Sequence, residues 1–181
     1  MHAIIQVLSC AKESGSDNNG NSEDGEKDSK NNSLFLPIKS FYPNSFDRIV
    51  LDPPCSALGL RPKLQLSTAN LDELQSQLPN FQKLFVKNAI SLLKPGGIMT
   101  YSTCTINIAE NECMVKHVLD TYSDCMMLVD VGISVGNYGL ENSGLSDKER
   151  GMVRRFDPCL ENEDNDDSIG FFIAKFQKKE S

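Results

Sequence analysis

The sequence predicts an α/β domain built on a doubly wound, mostly parallel sheet. Short apolar runs that are typical of buried strands alternate with helical segments between residues 48 and 130. Such alternation favours parallel strands that are joined by helical crossovers. The 181 residues suffice for one domain with its own core, and hardly for two.

The N-terminal part of the chain differs in composition from the rest, because it contains a long polar stretch. Residues 4–8, IIQVL, are a candidate strand. Residues 13–33 contain no apolar residue larger than glycine, so they cannot bury enough surface to offset the entropy cost of ordering them. We therefore expect a remnant strand segment over 1–12, a disordered polar insert over 13–33 and a folded part over 34–181.

Residues 48–102 predict a strand, a helix and a second strand. The runs RIVLD at 48–52 and IMTYS at 98–102 have the composition of buried strands. Between them, residues 81–93 have apolar side chains at helical spacing, at Phe81, Leu84, Phe85, Ala89, Leu92 and Leu93. The stretch Lys94-Pro95-Gly96-Gly97 is expected to end this helix.

A second helix is predicted over 108–121, followed by two more strands. Asn107 and Glu110 have the spacing of a helix N-cap. We expect His117 at the surface rather than as a ligand, beside a buried stripe of Met114, Val115, Val118 and Leu119. Residues 125–130 and 168–176 are the third and fourth strands of the series.

Composition and charge exclude several classes of protein. The net charge of −7 argues against a broad electrostatic surface for nucleic acid. No apolar run approaches the ~20 residues of a membrane span, and the N-terminus lacks the pattern of a signal peptide. The six cysteines have no zinc-binding spacing, so we expect no metal, no membrane, and reduced thiols in the cytoplasm or nucleus. Two interpretations remain for the cations Arg61, Lys63, Arg154 and Arg155, namely a local basic groove or solvated surface charge.

Two cysteines follow the ends of consecutive predicted strands. Asp52-Pro53-Pro54-Cys55 closes the first strand and Thr103-Cys104 closes the second. Ligands of doubly wound sheets bind beyond the carboxyl ends of the strands, so we expect Asp52, Cys55 and Cys104 at one crevice. The alternative for Asp52 is an acid that caps a turn. We expect core positions for the other cysteines and for two aromatic residues: Cys10, Cys113, Cys125, Cys159, Phe171 and Phe172.

An acid and two thiols at one crevice favour covalent chemistry on an electron-poor ring. Neither motif contains a histidine, so a cysteine–histidine dyad has little support. Cys104 lies shortly before a predicted helix N-terminus, which favours its thiolate. A thiolate can add to C6 of a pyrimidine if an acid stabilises the charge at N3 and a second group assists release.

Four stretches of the sequence together resemble one known family. FDRIVLDPPCSALG and KPGGIMTYSTCTINIAENE are similar to motifs IV and VI of the RsmB/NOP (Sun) family of RNA cytosine-C5 methyltransferases, and RRFDP and DSIGFFIAKF resemble its C-terminal end. The similarity is greatest to the tRNA-methylating branch that carries a PUA domain. The resemblance implies part of a class I methyltransferase sheet, Rossmann-like and mostly parallel, with an antiparallel C-terminal strand.

The resemblance also implies a role for each residue at the crevice. Cys104 would be the nucleophile that attacks cytosine C6, and Cys55 would assist release of the covalent adduct. Asp52 would contact the cytosine near N3 and bind the methyl donor, S-adenosylmethionine. RNA, with tRNA expected, would be the partner. The family usually has Ala or Val where this chain has Pro53, and glycine where it has Ala57, although alanine enters positive φ less readily.

The donor-binding part of the family pattern is missing from the sequence. The family has a glycine-rich turn after its first strand and an acid after its second, and Gly96-Gly97 is no substitute because it lies between a helix and a strand. We therefore expect the C-terminal part of a catalytic domain, which binds S-adenosylmethionine poorly by itself. The alternatives are a non-catalytic remnant or interaction module and, with less support, an amino-methyltransferase, whose related motif needs an aromatic residue where Cys55 stands.

Overall fold

A computed structural model describes residues 4–8, 41–60, 71–157 and 168–180 of the chain. This part of the chain forms, in order, β1 (Ile4–Leu8), β2 (Phe46–Asp52), α1 (Leu71–Leu92), β3 (Leu93–Thr103), α2 (Glu112–Thr121), β4 (Met126–Val129), α3 (Asp147–Met152), β5 (Arg154–Phe156) and β6 (Phe171–Lys178). None of the helices described is long and apolar enough to cross a membrane. Some predictions lie outside the described residues, namely those for 13–33, Cys10, Arg61, Lys63 and Cys159.

The described strands form one mixed sheet in the order β1-β2-β3-β6-β4, with β5 also paired to β6. β2 and β3 are parallel neighbours, whereas β6 is antiparallel to β3, β4 and β5. The strands from β2 to β5 therefore share one direction, and the predicted antiparallel C-terminal strand is confirmed. β1 is antiparallel to β2 and covers its other edge.

The predicted strands are confirmed with small shifts at their ends. β1 coincides with the candidate strand at 4–8, and β2, β3, β4 and β6 overlap the other four predictions. The predicted stop at 94–97 is also present. Phe46 pairs with Leu93 and Arg48 pairs with Ile98, so residues 94–97 of β3 bulge out of the ladder between these two pairs. Within this bulge, Gly96 has a φ of 75°.

α1 is longer than the helix predicted at 81–93, and it buries a different face. It begins at Leu71, contains Pro79 and ends at Leu92. Its buried residues are mostly apolar but include a glutamine, whereas Phe81 and Leu84 are exposed: the buried set contains Gln82, Val86, Ala89, Ile90 and Leu92. The sequence prediction counted only apolar residues, so it placed Phe81 and Leu84 on the buried face and left out Gln82.

α2 begins later than the helix predicted over 108–121, so the predicted N-cap is wrong. Asn111 rather than Asn107 is the N-cap residue, and the helix runs from Glu112 to Thr121. The predicted buried stripe is confirmed for Met114, Val115 and Val118, with Leu119 packed against the core. The Glu110 side chain does not cap the helix, because its carboxylate accepts hydrogen bonds from Ser56 and Gln82 instead.

A short helix and a short strand that were not predicted lie in the long connection before β6. α3 has a complete capping box, in which the Ser146 side chain accepts from the Glu149 backbone and the Glu149 carboxylate accepts from the Ser146 backbone. β5 follows it and pairs with the first residues of β6, while β4 pairs with the last ones. Elements of this length are too short to show a period in the sequence.

Candidate active site

Cys55 and Cys104 lie side by side beyond the carboxyl ends of two parallel strands. β2 ends at Asp52 and β3 ends at Thr103, and the two strands pair directly in the sheet. The Sγ atoms of the two cysteines are 3.2 Å apart. Cys55 is buried and Cys104 is partly buried. The structure therefore brings the two predicted thiols to one place.

Backbone contacts fix the loop that carries Cys55 against its neighbours. The Gly59 N–H donates to the Cys104 carbonyl at 3.1 Å, and the Gly170 N–H donates to the Gly59 carbonyl at 2.7 Å. A Cβ atom at Gly59 would lie 2.2 Å from the Gly170 carbonyl oxygen, so this approach requires glycine. Ala57 has a φ of 55°, which is the left-handed conformation that glycine adopts more easily.

Burial makes the Cys55 thiol a weak acid. Burial first, and the hydrogen bond with Cys104 second, raise the pKa of Cys55 from 9.0 to about 12. Cys55 therefore keeps its proton at neutral pH. When Cys104 is deprotonated, the Cys55 S–H donates to the Cys104 thiolate, because two thiolates at this distance would repel each other.

Asp52 is the last residue of β2 and precedes Cys55 by three positions. Asp52 is only partly covered by the protein, and no side chain among the described residues forms a hydrogen bond with it. The surrounding protein still desolvates the carboxyl group enough to raise its pKa. The pKa of the buried Tyr101 is also raised, first by burial and then by the charges of Glu110, Cys55 and Asp52. These groups therefore share one electrostatic environment.

Three consecutive polar residues at the start of α2, Glu110, Asn111 and Glu112, have no exposed surface. Asn111 fixes both neighbours of Cys104: its Oδ1 accepts from the Thr103 hydroxyl at 2.6 Å, and its Nδ2 donates to the Thr105 carbonyl at 2.9 Å. The sequence pattern did not predict this role for Asn111, because it placed the start of the helix at Asn107, which put Asn111 inside the helix. The run of three polar residues directly before an apolar helical stripe was the available signal.

Arg154 and Arg155 do not belong to an open basic groove. Arg155 is 3% exposed, and its Nη1 donates to both carboxylate oxygens of Glu112 at 3.0 Å. Arg154 donates to three backbone carbonyl groups and lies over the Tyr138 ring, 5.1 Å from its centroid. Phosphate contact and solvated surface charge are both wrong for these two residues, since their guanidinium groups already have internal partners.

The remaining candidate residues divide between core and surface. Cys113 is exposed, so its predicted burial is wrong, whereas Cys125 packs against the core. Phe172 is buried as predicted. His117 lies at the edge of α2 and bonds to the Thr121 hydroxyl. In the part of the chain that the structure describes, no group of three or more Cys, His, Asp or Glu side chains could hold a metal ion.

A family model described as 16S rRNA methyltransferase RsmB/F matches residues 26–177. The chain belongs to this family. The matched region includes Asp52, both paired cysteines and the buried residues that fix them. The family assignment made from the sequence motifs is therefore confirmed.

Curated relatives of the RsmB/F family resemble this chain over most of its length. The tRNA (cytosine(72)-C(5))-methyltransferase NSUN6 of Mus musculus is 41% identical over 160 residues, which covers 78% of this chain and 33% of the relative. The rRNA (cytosine-C(5))-methyltransferase NOP2C of Arabidopsis thaliana is 40% identical over 148 residues, with 76% and 24% covered. The chain therefore spans a third or less of the length of these relatives.

Solved structures agree with the family assignment. NSun6 from Pyrococcus horikoshii, crystallised with SFG, an analogue of S-adenosylmethionine, has a TM-score of 0.59 at 33% identity, covering 76% of this chain and 31% of that one. A methyltransferase homolog protein from the same organism has a TM-score of 0.58 at 32% identity, with 74% and 39% covered. The fold is therefore part of a Rossmann-like methyltransferase domain.

Proposed function

We propose that the chain takes part in S-adenosylmethionine-dependent methylation of cytosine C5 in RNA, with tRNA as the expected substrate. The contact of Cys55 with Cys104 at two parallel strand ends, in a member of the RsmB/F family, carries this proposal. Relatives named for tRNA favour tRNA, and a relative named for rRNA makes rRNA the second candidate. A reducing compartment, cytoplasm or nucleus, suits two adjacent thiols that must not be oxidised to a disulfide.

Cys104 is the proposed nucleophile. It is the more accessible of the two thiols, and Asn111 fixes the residues on both sides of it. Its thiolate adds to C6 of cytosine, so that an S–C6 bond forms and the C5–C6 π pair moves to C5, where conjugation shares the negative charge with N3. The Cys55 sulfur lies 3.2 Å from the Cys104 sulfur, close enough for its S–H to donate to the thiolate during this attack. The addition makes C5 the nucleophilic atom of the base.

Cys55 is the proposed release group. Burial is the main cause of the raised pKa of Cys55, and once the Cys104 sulfur is bonded to C6 and carries no charge, the further opposition from Cys104 to a Cys55 thiolate disappears. Cys55 then releases its own proton to solvent, and the resulting thiolate accepts the proton from C5. The C5–H electron pair restores the C5–C6 double bond, and the S–C6 pair returns to Cys104. This order of events requires the two sulfur atoms to remain close throughout.

Asp52 is the proposed contact for the cytosine near N3. Its carboxyl group lies at the open end of β2, where a base could reach it. Because partial desolvation raises its pKa, the group stays protonated to a higher pH than an ordinary aspartate. A protonated carboxyl group can donate a hydrogen bond to N3 as negative charge builds up on the ring.

The described residues offer only part of a site for the methyl donor. S-adenosylmethionine supplies an electrophilic methyl group when it is bound. Asp52 would face it, but neither cysteine-bearing strand is followed by a glycine-rich turn. β1 runs antiparallel to β2, so the carboxyl end of β1 lies at the end of the strands that is far from Asp52 and the two cysteines. The chain by itself should bind the donor weakly, and low-micromolar affinity in isothermal titration would contradict this.

Trapping on RNA that contains 5-azacytidine tests the proposed function. Position 5 of the analogue is a nitrogen, so the C5 proton cannot be eliminated and a covalent adduct persists. We expect a protein–RNA complex that survives denaturing electrophoresis, disappears in Cys104→Ser and is retained in Cys55→Ala. Cys113→Ser, which changes an exposed cysteine outside the pair, is the matched control and should trap like the unmodified chain.

The trapping is run with the chain alone and with the donor-binding half of a relative supplied separately. A complex that depends on Cys104 in either condition supports the proposal. Absence of a complex in both conditions favours the non-catalytic remnant. A complex that persists in Cys104→Ser rules out the assigned nucleophile.

A further inference from the structure

We propose that Glu110 is a positioning residue, whose buried carboxylate holds Cys55 beside Cys104. Glu110 has no exposed surface and no hydrogen bond to either thiol, so it takes no direct part in the chemistry proposed for them. Its effect on release of the cytosine adduct rests on the proposed function. Its effect on the distance between the sulfur atoms rests on the geometry alone.

Four hydrogen-bond donors converge on the Glu110 carboxylate. Oε1 accepts from the Ser56 hydroxyl at 2.6 Å and from Asn107 Nδ2 at 2.9 Å. Oε2 accepts from the Ser56 N–H at 3.0 Å and from Gln82 Nε2 at 2.8 Å. No cationic side chain among the described residues forms an ion pair with it. Within the described part of the chain, these four donors therefore offset the cost of burying the carboxylate.

The donors tie both sides of Cys55 to Glu110. Ser56 follows Cys55 directly and contributes two of the four hydrogen bonds. Gln82 Nε2 donates to Glu110 and also to the carbonyl of Pro54, the residue before Cys55, at 3.0 Å. The Cys55 peptide is thus fixed at both ends by one side chain and its partner.

Glu110 also connects the Cys55 segment to the Cys104 segment. The hydroxyl groups of Ser56 and Thr105 are 2.7 Å apart. Because Ser56 donates its only hydroxyl proton to Glu110, Thr105 must be the donor in this contact. The Glu110 backbone is itself held, since its carbonyl accepts from the Tyr101 hydroxyl at 2.7 Å. A chain of hydrogen bonds therefore links the neighbours of one thiol to those of the other.

Only a carboxylate satisfies four donors at this position. A glutamine has one acceptor oxygen, and its amide NH₂ would face two of the donors whichever way the group is turned. Glu110→Gln therefore keeps the size of the side chain and removes half of the hydrogen bonds. The Cys55 segment should then move away from Cys104.

Disulfide formation under diamide measures the proximity of the two thiols. Two thiols lose two protons and two electrons, the Sγ–Sγ bond forms, and diamide is reduced to the hydrazine. The sulfur atoms need to close only from 3.2 Å to about 2.05 Å. We expect Glu110→Gln to slow formation of the Cys55–Cys104 disulfide about tenfold or more, as quantified by mass spectrometry of the linked peptides.

Glu112→Gln is the matched control, because it is the same substitution at an equally buried glutamate. Its carboxylate binds Arg155 and the Leu140 N–H rather than the Cys55 segment. It should lower stability but keep the original rate of disulfide formation, under conditions where circular dichroism shows both variants folded. If Glu110→Gln does not fold, Ser56→Ala replaces it, with an expected slowing of about threefold from the lost hydroxyl.

Ordinary RNA, with the donor and the donor-binding half of a relative supplied, tests the consequence for release. Glu110→Gln should accumulate a covalent RNA complex as Cys55→Ala does, whereas damage to the fold alone would lower it. An unchanged disulfide rate in Glu110→Gln overturns the positioning role, whether or not an RNA adduct forms. A slowed rate with no RNA adduct in the unmodified chain keeps the positioning role and removes the proposed function.

Discussion

Substitution of Arg155 by methionine removes the cation that neutralises the buried Glu112. Of its hydrogen bonds with described residues, the Glu112 carboxylate would lose two of 3.0 Å and keep the one from the Leu140 N–H, also at 3.0 Å. Removing one partner of a buried ion pair costs about 3–5 kcal/mol, because the remaining charge is uncompensated. A domain has about 5–15 kcal/mol of stability in total. Arg155→Met should therefore unfold at a much lower urea concentration.

Far-UV circular dichroism in urea measures this loss, since the chain contains no tryptophan to report by fluorescence. Lys94→Met is the control, because the 3.0 Å pair of Lys94 with Asp47 is about half exposed and should contribute less than about 1 kcal/mol. The double variant Arg155→Met/Glu112→Gln removes the uncompensated charge at position 112, although Asp157 still loses its 2.9 Å contact with Arg155, and it should recover part of the loss. A loss below about 1 kcal/mol in Arg155→Met would refute this reasoning.

Two further predictions concern the loop that carries Cys55. The pKa of the Cys55 thiol is 9.0 in the unfolded chain and about 12 in the folded one. The protonated thiol therefore contributes its full stability to the fold below pH 9, and this contribution is lost as the pH rises toward 12. Urea unfolding at about pH 8 and 10.5 should therefore show a smaller alkaline loss for Cys55→Ala than for the unmodified chain, by up to ~1.4 kcal/mol per pH unit; equal losses would contradict the raised pKa. Ala57→Gly relieves a φ of 55°, worth about 1 kcal/mol, but adds freedom to the unfolded chain, so its urea midpoint should hold or rise slightly. If Ala57→Gly lowered the free energy of unfolding by more than about 1 kcal/mol, Ala57 would not be strained.

The parts of the fold that could be predicted depend on local patterns. The apolar runs of β2 and β3 and the stop after α1 are visible in the sequence, and parallel pairing then places Cys55 and Cys104 at the same edge of the sheet. The resemblance supplied the antiparallel direction of β6, which no local pattern contains. These features together locate the two thiols without any knowledge of their neighbours.

The contacts that hold the site could not be predicted, because their partners are distant in the sequence. Glu110 has the spacing of a helix cap but binds Ser56, 54 residues away. Arg155 resembles a surface cation but pairs with Glu112, 43 residues away. Gln82 lies on a helix whose buried face was counted from apolar residues alone. In each case a polar side chain is buried because a tertiary partner satisfies it, and the local sequence does not show that partner.

Peptide mapping of the adduct formed on 5-azacytidine RNA tests the central claim most directly. After nuclease and protease digestion, mass spectrometry identifies the cysteine that carries the base. The arrangement of the two thiols predicts that the base is attached to Cys104 and that Cys55 remains unmodified. Attachment to Cys55, or to any cysteine outside the pair, would contradict the roles assigned to this site.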